Sequence, residues 1–299
     1  MKFKSLFIGI LAAMSLVLGS CISNSTSNQT QSEQINNAFI YTVDHATGEV
    51  SKPSKISVII ETDYTDLTMG CTISSLNLPD GTKLPAAKFS GLKLVENNTG
   101  WMIAEGTMLR PEVTGFGEAA IPLFTKARIA AINHLGVVNG QTVAGYERAI
   151  RLETEKYTIF ISPVQTWSTG KTNVETLTGT PNKFTSEKPA YLITLNLEKQ
   201  TASISVHGAV FAPAMEDLGL VIEFRDVPFI ATANGEIRLS RTETFDPYHD
   251  NAPNAGFPIS NLTSTWNLFK GIDIAFTCDA KGGSYRVAAD MPYYVATEK

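Results

Sequence analysis

Three tryptophans, four histidines and a few short motifs are where this chain has the means to do chemistry. Trp101 in NNTGWMI, Trp167 in VQTWSTG and Trp266 in LTSTWNL each sit beside glycine or small polar residues, the setting of loop-borne platforms on which a flat ring stacks. Sugar rings are the ligand class such platforms take; the competing expectation is that each indole plugs the core of a β unit. Asp246, His249 and Asp250 in FDPYHDNAPN place oxygen and nitrogen ligands close together between Pro247 and Pro253, a grouping that suits a metal ion. The alternative is a solvated turn with Asp and Asn bonding to local backbone. Of the other near-neutral proton carriers, His45 lies in the turn-like DHATGE and His134 has no ligand partner at useful spacing. His207 falls out of phase with Ile204 and Val206, which assigns it to the polar face of its strand.

Other chemistries find less. STGKT, Ser168 to Thr172, has the lysine and hydroxyl of a phosphate loop, but Gln165 stands where that loop needs glycine and no helix follows. Nucleotide binding is therefore not expected. A serine hydrolase elbow of the Gly-x-Ser-x-Gly type is missing from the sequence. Paired carboxylates of a glycoside hydrolase leave no local signature, so a hydrolase built on two of the 29 acids stays open as an alternative. No cofactor is called for.

The elements that must position these residues are short runs rich in Val, Ile, Thr, Tyr and Phe, broken by Gly, Pro, Asn and Asp, in a chain with 32 threonines. Alternating patterns of this kind are β-strands. The exception is TKARIAAINHL, Thr125 to Leu135, which reads as a helix with Thr125 as cap and Gly136 as stop.

The first twenty residues form a signal peptide: Lys2 and Lys4, then an apolar run from Leu6 to Leu18 that is too short to span a bilayer. It ends in Leu18, Gly19, Ser20, Cys21, which resembles the lipobox of bacterial lipoproteins and implies acylation of Cys21. Residues 21–36, almost wholly Ser, Asn, Gln and Thr, read as a flexible tether. Without the leader, 22 basic residues face 29 acids, a net charge near −7, which excludes a nucleic-acid partner. Membrane attachment then rests on lipid at Cys21. Cys71 and Cys278 read as small buried hydrophobes rather than a disulfide.

An internal repeat organises the remainder. Met69 to Pro79 aligns without a gap on Leu218 to Pro228, sharing Gly70/Gly219, Ile73/Ile222 and Pro79/Pro228. Colinear matches pair Ala38 with Ala190, Leu92 and Leu94 with Ile237 and Leu239, Pro122 with Pro258, and Tyr157 with Tyr285. The expected fold is all-β: two tandem related β-sandwich or small calycin-like β-barrel domains at 37–164 and 189–299, joined by a linker or connecting hairpin at 165–188.

The segments KPAYLITLNLEKQTASISVHGAVFAPAM, LGLVIEFRDVPF and GFPISNL, with the lipobox and the Ser/Asn tether, resemble uncharacterised cell-envelope lipoproteins of Bacteroidota that carry a duplicated all-β body. That resemblance implies location and fold and carries over no catalytic residue. The expectation is a non-enzymatic, lipid-anchored binding module of the envelope, with the outer membrane as site and its periplasmic face favoured over the cell surface. A glycan is its expected ligand. A fimbria-like structural subunit or one that binds an envelope protein is the alternative.

Overall fold

A computed structural model describes residues 30–95, 102–117, 121–138, 141–179, 181–215 and 218–293. The first ten strands are β1 (Thr30–Asp44), β2 (Ser54–Asp63), β3 (Thr68–Ile73), β4 (Leu76–Asn77), β5 (Lys83–Leu84), β6 (Ala87–Val95), β7 (Met102–Leu109), β8 (Phe124–Val138), β9 (Gln141–Glu153) and β10 (Tyr157–Pro163). Eight of them close into an antiparallel barrel in the order β1-β10-β9-β8-β7-β6-β3-β2, and β4 and β5 form a small hairpin beside it. Period-two alternation fills the interior with Ile40, Val58, Ile60, Met69, Cys71, Phe89, Leu92, Phe124, Ile129 and Ile159, among others. Phe89 and Phe124 meet edge to face at 4.9 Å. This barrel is a packed core, not a hollow cup.

The second half contains β11 (Gln165–Thr169), β12 (Lys171–Gly179), β13 (Lys183–Ser186), β14 (Ala190–Asn196), β15 (Thr201–Ala209), β16 (Leu220–Ala231), β17 (Glu236–Arg241), β18 (Tyr248–His249), β19 (Ala252–Pro253), β20 (Ile259–Asn267), β21 (Gly271–Ala280) and β22 (Gly283–Pro292). Its sheet runs β11-β14-β15-β16-β17-β20-β21-β22-β12-β13. The two ends of that path are one stretch of chain. β11 pairs with β14 and β12 with β22, and Gly170 alone separates them. A side chain at Gly170 would stand 2.7 Å from the Asp290 carbonyl and from Met291, so the bend demands the close approach that only glycine permits. Residues 165–188 thus form strands of the second sheet, including the β12–β13 hairpin.

The curled sheet packs against the outer wall of the barrel. Residues Ala38 to Val43 of β1 are buried without interruption. Ala38 and Ile40 point into the barrel, whereas Phe39, Tyr41 and Val43 join the core of the second sheet. A strand buried on both faces reads as a continuous apolar run. β8 obeys the same rule, and this is why the expected helix is not there. Ala127, Ile129 and Ala131 face inward, Ala130 and Ile132 face the second sheet, and β8 pairs throughout with β9. Ala130, paired with Ala149 of β9 on the same outward face, lets the second sheet come close. The run looked helical because it is rich in Ala, which favours helices in isolation, and because two-sided burial hides the period of two.

β1 also begins earlier than composition suggests. Thr30 to Ile35 pair in register with Asp63 to Val58 of β2, so the last part of the expected tether is barrel wall. The repeat falls on equivalent strands at three places: Ala38 and Ala190 lie in the first strand of each meander, Ile73 and Ile222 in the third, Leu92 and Ile237 in the fourth. After that it slips. Tyr157 opens the eighth strand of the barrel, whereas Tyr285 lies in the seventh of the second meander, whose remaining stave, β11–β12, comes from the chain before it.

Candidate functional site

Among the described residues, Glu147 and Arg148 are the only side chains of Asp, Glu, Lys or Arg that are buried. They sit side by side on β9 and so point to opposite faces of the barrel wall. Arg148 donates from Nε to Glu33 Oε2 of β1 at 2.9 Å and from Nη1 to the carbonyls of Glu147 (2.9 Å) and Ile132 (3.3 Å). Ser162 donates from Oγ to the Arg148 carbonyl at 3.1 Å. The guanidinium edges a small apolar recess lined by Ile35, Val58, Ile60, Ile150 and Ile161. On the other face, the Glu147 carboxylate reaches the second sheet, accepting from the Trp167 backbone N–H at 3.5 Å. Next to it, the Thr166 and Tyr293 hydroxyls are 2.9 Å apart. Burial pushes the Tyr293 phenol well above its ordinary range, and the Glu147 charge adds to that. The group therefore does joint chemistry. One acid and one base tie β9 to the first strand of the barrel and to the first strand of the second sheet.

Sequence reasoning missed Glu33, Glu147 and Arg148. A signal existed for the pair on β9, because GYERAIRL sets adjacent opposite charges inside a buried run. Glu33 had none, hidden in a polar segment that reads as tether.

The expected sites fare differently. Trp266 is 0% exposed and meets Phe39 edge to face at 5.8 Å; Trp167 is 6% exposed and packs with Ala190. Neither presents a face to a sugar, so for these two the core role replaces the platform role. Trp101 lies outside the described residues, as does Cys21. Ser168 and Thr172 are buried strand residues on either side of the Gly170 bend, which gives STGKT a structural task.

Asp246, His249 and Asp250 do not converge: among the described residues no three His, Cys, Asp or Glu side chains are placed to hold a metal ion. His249 donates from Nδ1 to the Val221 carbonyl at 2.9 Å, and its Nε2 lies 3.6 Å from Asp250. The segment is a folded hairpin laid on β16, where Arg225 covers the Tyr248 ring at 4.1 Å and Arg241 the Phe245 ring at 4.1 Å. Stacking on Arg225 and Arg241 is what this segment's aromatic residues do in the fold.

His45 is pinned between the Glu155 carbonyl (3.0 Å) and the Thr158 hydroxyl (2.8 Å). His207 corrects the surface assignment. It stays on the strand face of Ser205, whose Oγ lies 3.4 Å from its Nε2, but that face is covered there: His207 is 9% exposed, and burial lowers its pKa. The side chain of His134 lies outside the described part. Cys71 and Cys278 are buried and unbonded. Asp273 and Asp290 stand opposite each other on β21 and β22, on the face turned away from the core. Partial burial, together with the charges of Asp290 and Glu236, raises the Asp273 carboxyl above its ordinary range.

No protein-family model matches the chain, and no curated protein does. Among solved structures, the Tyr-167-Ala and Trp-176-Ala double mutant of the vaccine antigen transferrin binding protein B from Haemophilus parasuis Hp5 overlaps it at 7% identity with a TM-score of 0.22. That overlap covers 89% of this chain and 77% of the other. Intact Ap-TbpB, with its N and C lobes, overlaps at 8% identity and a TM-score of 0.23, covering 86% and 77%. Superpositions this loose carry no argument about fold family or partner.

Proposed function

We propose that this chain is a lipid-anchored, non-catalytic module of the cell envelope that meets its partner across its outer surfaces. The filled interior is the observation that carries this reading. Phe89, Phe124 and Leu92 occupy the barrel, and Trp266, Phe224 and Phe276 the second sheet. Two such cores, sharing a wall, make a stiff platform rather than a vessel. The exposed Met108, Leu177, Leu218 and Ile230 lie outside these cores, each more than half open to solvent. Acylation at Cys21 rests on the lipobox alone.

Two measurements test the reading. Fractionation should find the native chain in the membrane and the Cys21→Ser variant in the soluble fraction. A thermal-shift screen of residues 30–299 against glycans, calcium and zinc should leave the midpoint unmoved, since a ligand at 100 times its Kd adds about 2.7 kcal/mol. A reproducible shift with a glycan would replace the platform reading with sugar binding at a site other than Trp167 and Trp266.

A further inference from the structure

We propose that the end of the barrel at which the chain enters rests on the lipid bilayer, with Tyr64, Leu67 and Val95 as its contact rim. The inference builds on acylation of Cys21. In an antiparallel meander, the start of β1, the β2–β3 turn and the end of β6 all lie at one end, and the register confirms it: Thr30 pairs with Asp63, and Thr68 with Lys93. Leu94 donates its N–H to the Leu67 carbonyl at 2.9 Å, which brings the turn against the end of β6. Tyr64 donates its hydroxyl to Gln31 Oε1 of β1 at 3.0 Å.

Three side chains at this end are apolar and outward. Tyr64 is 38% exposed, Leu67 59% and Val95 43%. Leu67 holds φ at 51°, a left-handed backbone that glycine or asparagine adopts at less cost. Folding therefore gains little from a leucine there, since most of its side chain stays in water. Tyrosine, with an apolar ring and a wet hydroxyl, suits the headgroup layer, and Leu and Val suit the acyl boundary beneath it.

The tether selects the occupant. Residues 22–29 are eight, and whatever their conformation a chain of that length spans at most about 30 Å. Cys21 therefore holds this end near the acyl chains. The opposite end also exposes apolar side chains, Met108 and Phe116, but stands a barrel's length farther from the anchor. Asp63 and Asp66 flank the rim, so the surface it fits is a zwitterionic bilayer rather than an anionic one.

The test uses the full chain, made with its own leader and reconstituted into phosphatidylcholine vesicles. Intact mass first reports whether Cys21 carries diacylglycerol. Amide exchange is then compared with that of the Cys21→Ser variant free in solution. Exchange at 64–67 and 93–95 should slow several-fold on vesicles, while 108–109 and 114–117 keep their rates. A Leu67→Asp/Val95→Asp variant should lose the slowing and keep its thermal midpoint within a few degrees. A chain without lipid would remove the anchoring reading itself. An acylated chain with unchanged exchange at 64–67, or with slowing at 114–117 instead, would overturn the rim while leaving the anchor intact.

Discussion

Arg148 shows how much of this molecule depends on single buried charges. Its guanidinium is 8% exposed and its partner Glu33 17%, so each has given up most of its water for the other. Removing one partner strands the other, which in buried pairs costs about 3–5 kcal/mol, whereas apolar replacement of both is often neutral. With Glu33 still partly wet, Glu33→Ala should lower stability by about 2–3 kcal/mol in urea unfolding, and Glu33→Leu with Arg148→Met should recover most of it. A second prediction concerns alkali. Burial pushes Cys71 and Cys278 up to about 12 and raises the phenols of Tyr41, Tyr191 and Tyr293 well above their ordinary range. The folded state thus holds these protons more tightly than the unfolded chain, where thiols titrate near 8.5 and phenols near 10. The stability these groups contribute is complete below those values and falls as pH rises past them, by about 1.4 kcal/mol per pH unit for each group. Urea midpoints should stay level to about pH 8.5 and then drop steeply. The Tyr41 hydroxyl is buried without a hydrogen-bond partner, so Tyr41→Phe should be neutral or stabilising by up to about 1 kcal/mol, and should flatten the drop above pH 10.

At the scale of elements, β2, β3, β10, β14 to β17, β21 and β22 were legible, because strands of alternating burial show their period and their turns carry Gly, Asn and Asp. Elements that touch two cores were not. β8 is apolar on both sides, which erased its period and left only an alanine-rich composition to read. Thr30 to Asn36 is polar yet strand, because its partner β2 and the Arg148 side chain hold it, and neither lies nearby in sequence. Closure of the second sheet is likewise a tertiary fact: nothing in QTWSTGKTNVETLTG says that its halves pair with strands twenty and more than a hundred residues away. The candidate joint was half legible, the charges on β9 standing out and Glu33 not. These elements make a direct prediction. Ala130 separates β8 from the second sheet, so Ala130→Leu should overpack that contact and cost about 1–3 kcal/mol by urea unfolding. If the helix were real, the same change on its surface would be close to neutral.

The whole molecule follows from a shared wall. Phe39, Tyr41, Val43, Ala130, Ala149 and Phe160 belong by chain to the barrel and by packing to the same core as Trp266, Ile274 and Val287. Phe39 meets Trp266, and a side chain at Gly235 of the second half would stand 2.8 Å from the Phe160 ring. Polar ties follow the same seam, from the Trp167 backbone to Glu147. Units that shared only a linker would unfold separately, each around its own apolar centre. Here the barrel alone would leave three aromatic rings of β1 and β10 in water, and the second half alone would lose one wall of its core. Burying a Phe side chain is worth about 1.5–3 kcal/mol, so losing several at once approaches the 5–15 kcal/mol that stabilises a whole domain. The full chain should therefore unfold in a single calorimetric transition whose van't Hoff and measured enthalpies agree. Residues 165–299 made alone should keep strand signal in far-UV dichroism, lose near-UV signal from Trp266, and bind hydrophobic dye. Two resolved transitions, or a cooperative second half, would mean that the wall is contact without coupling.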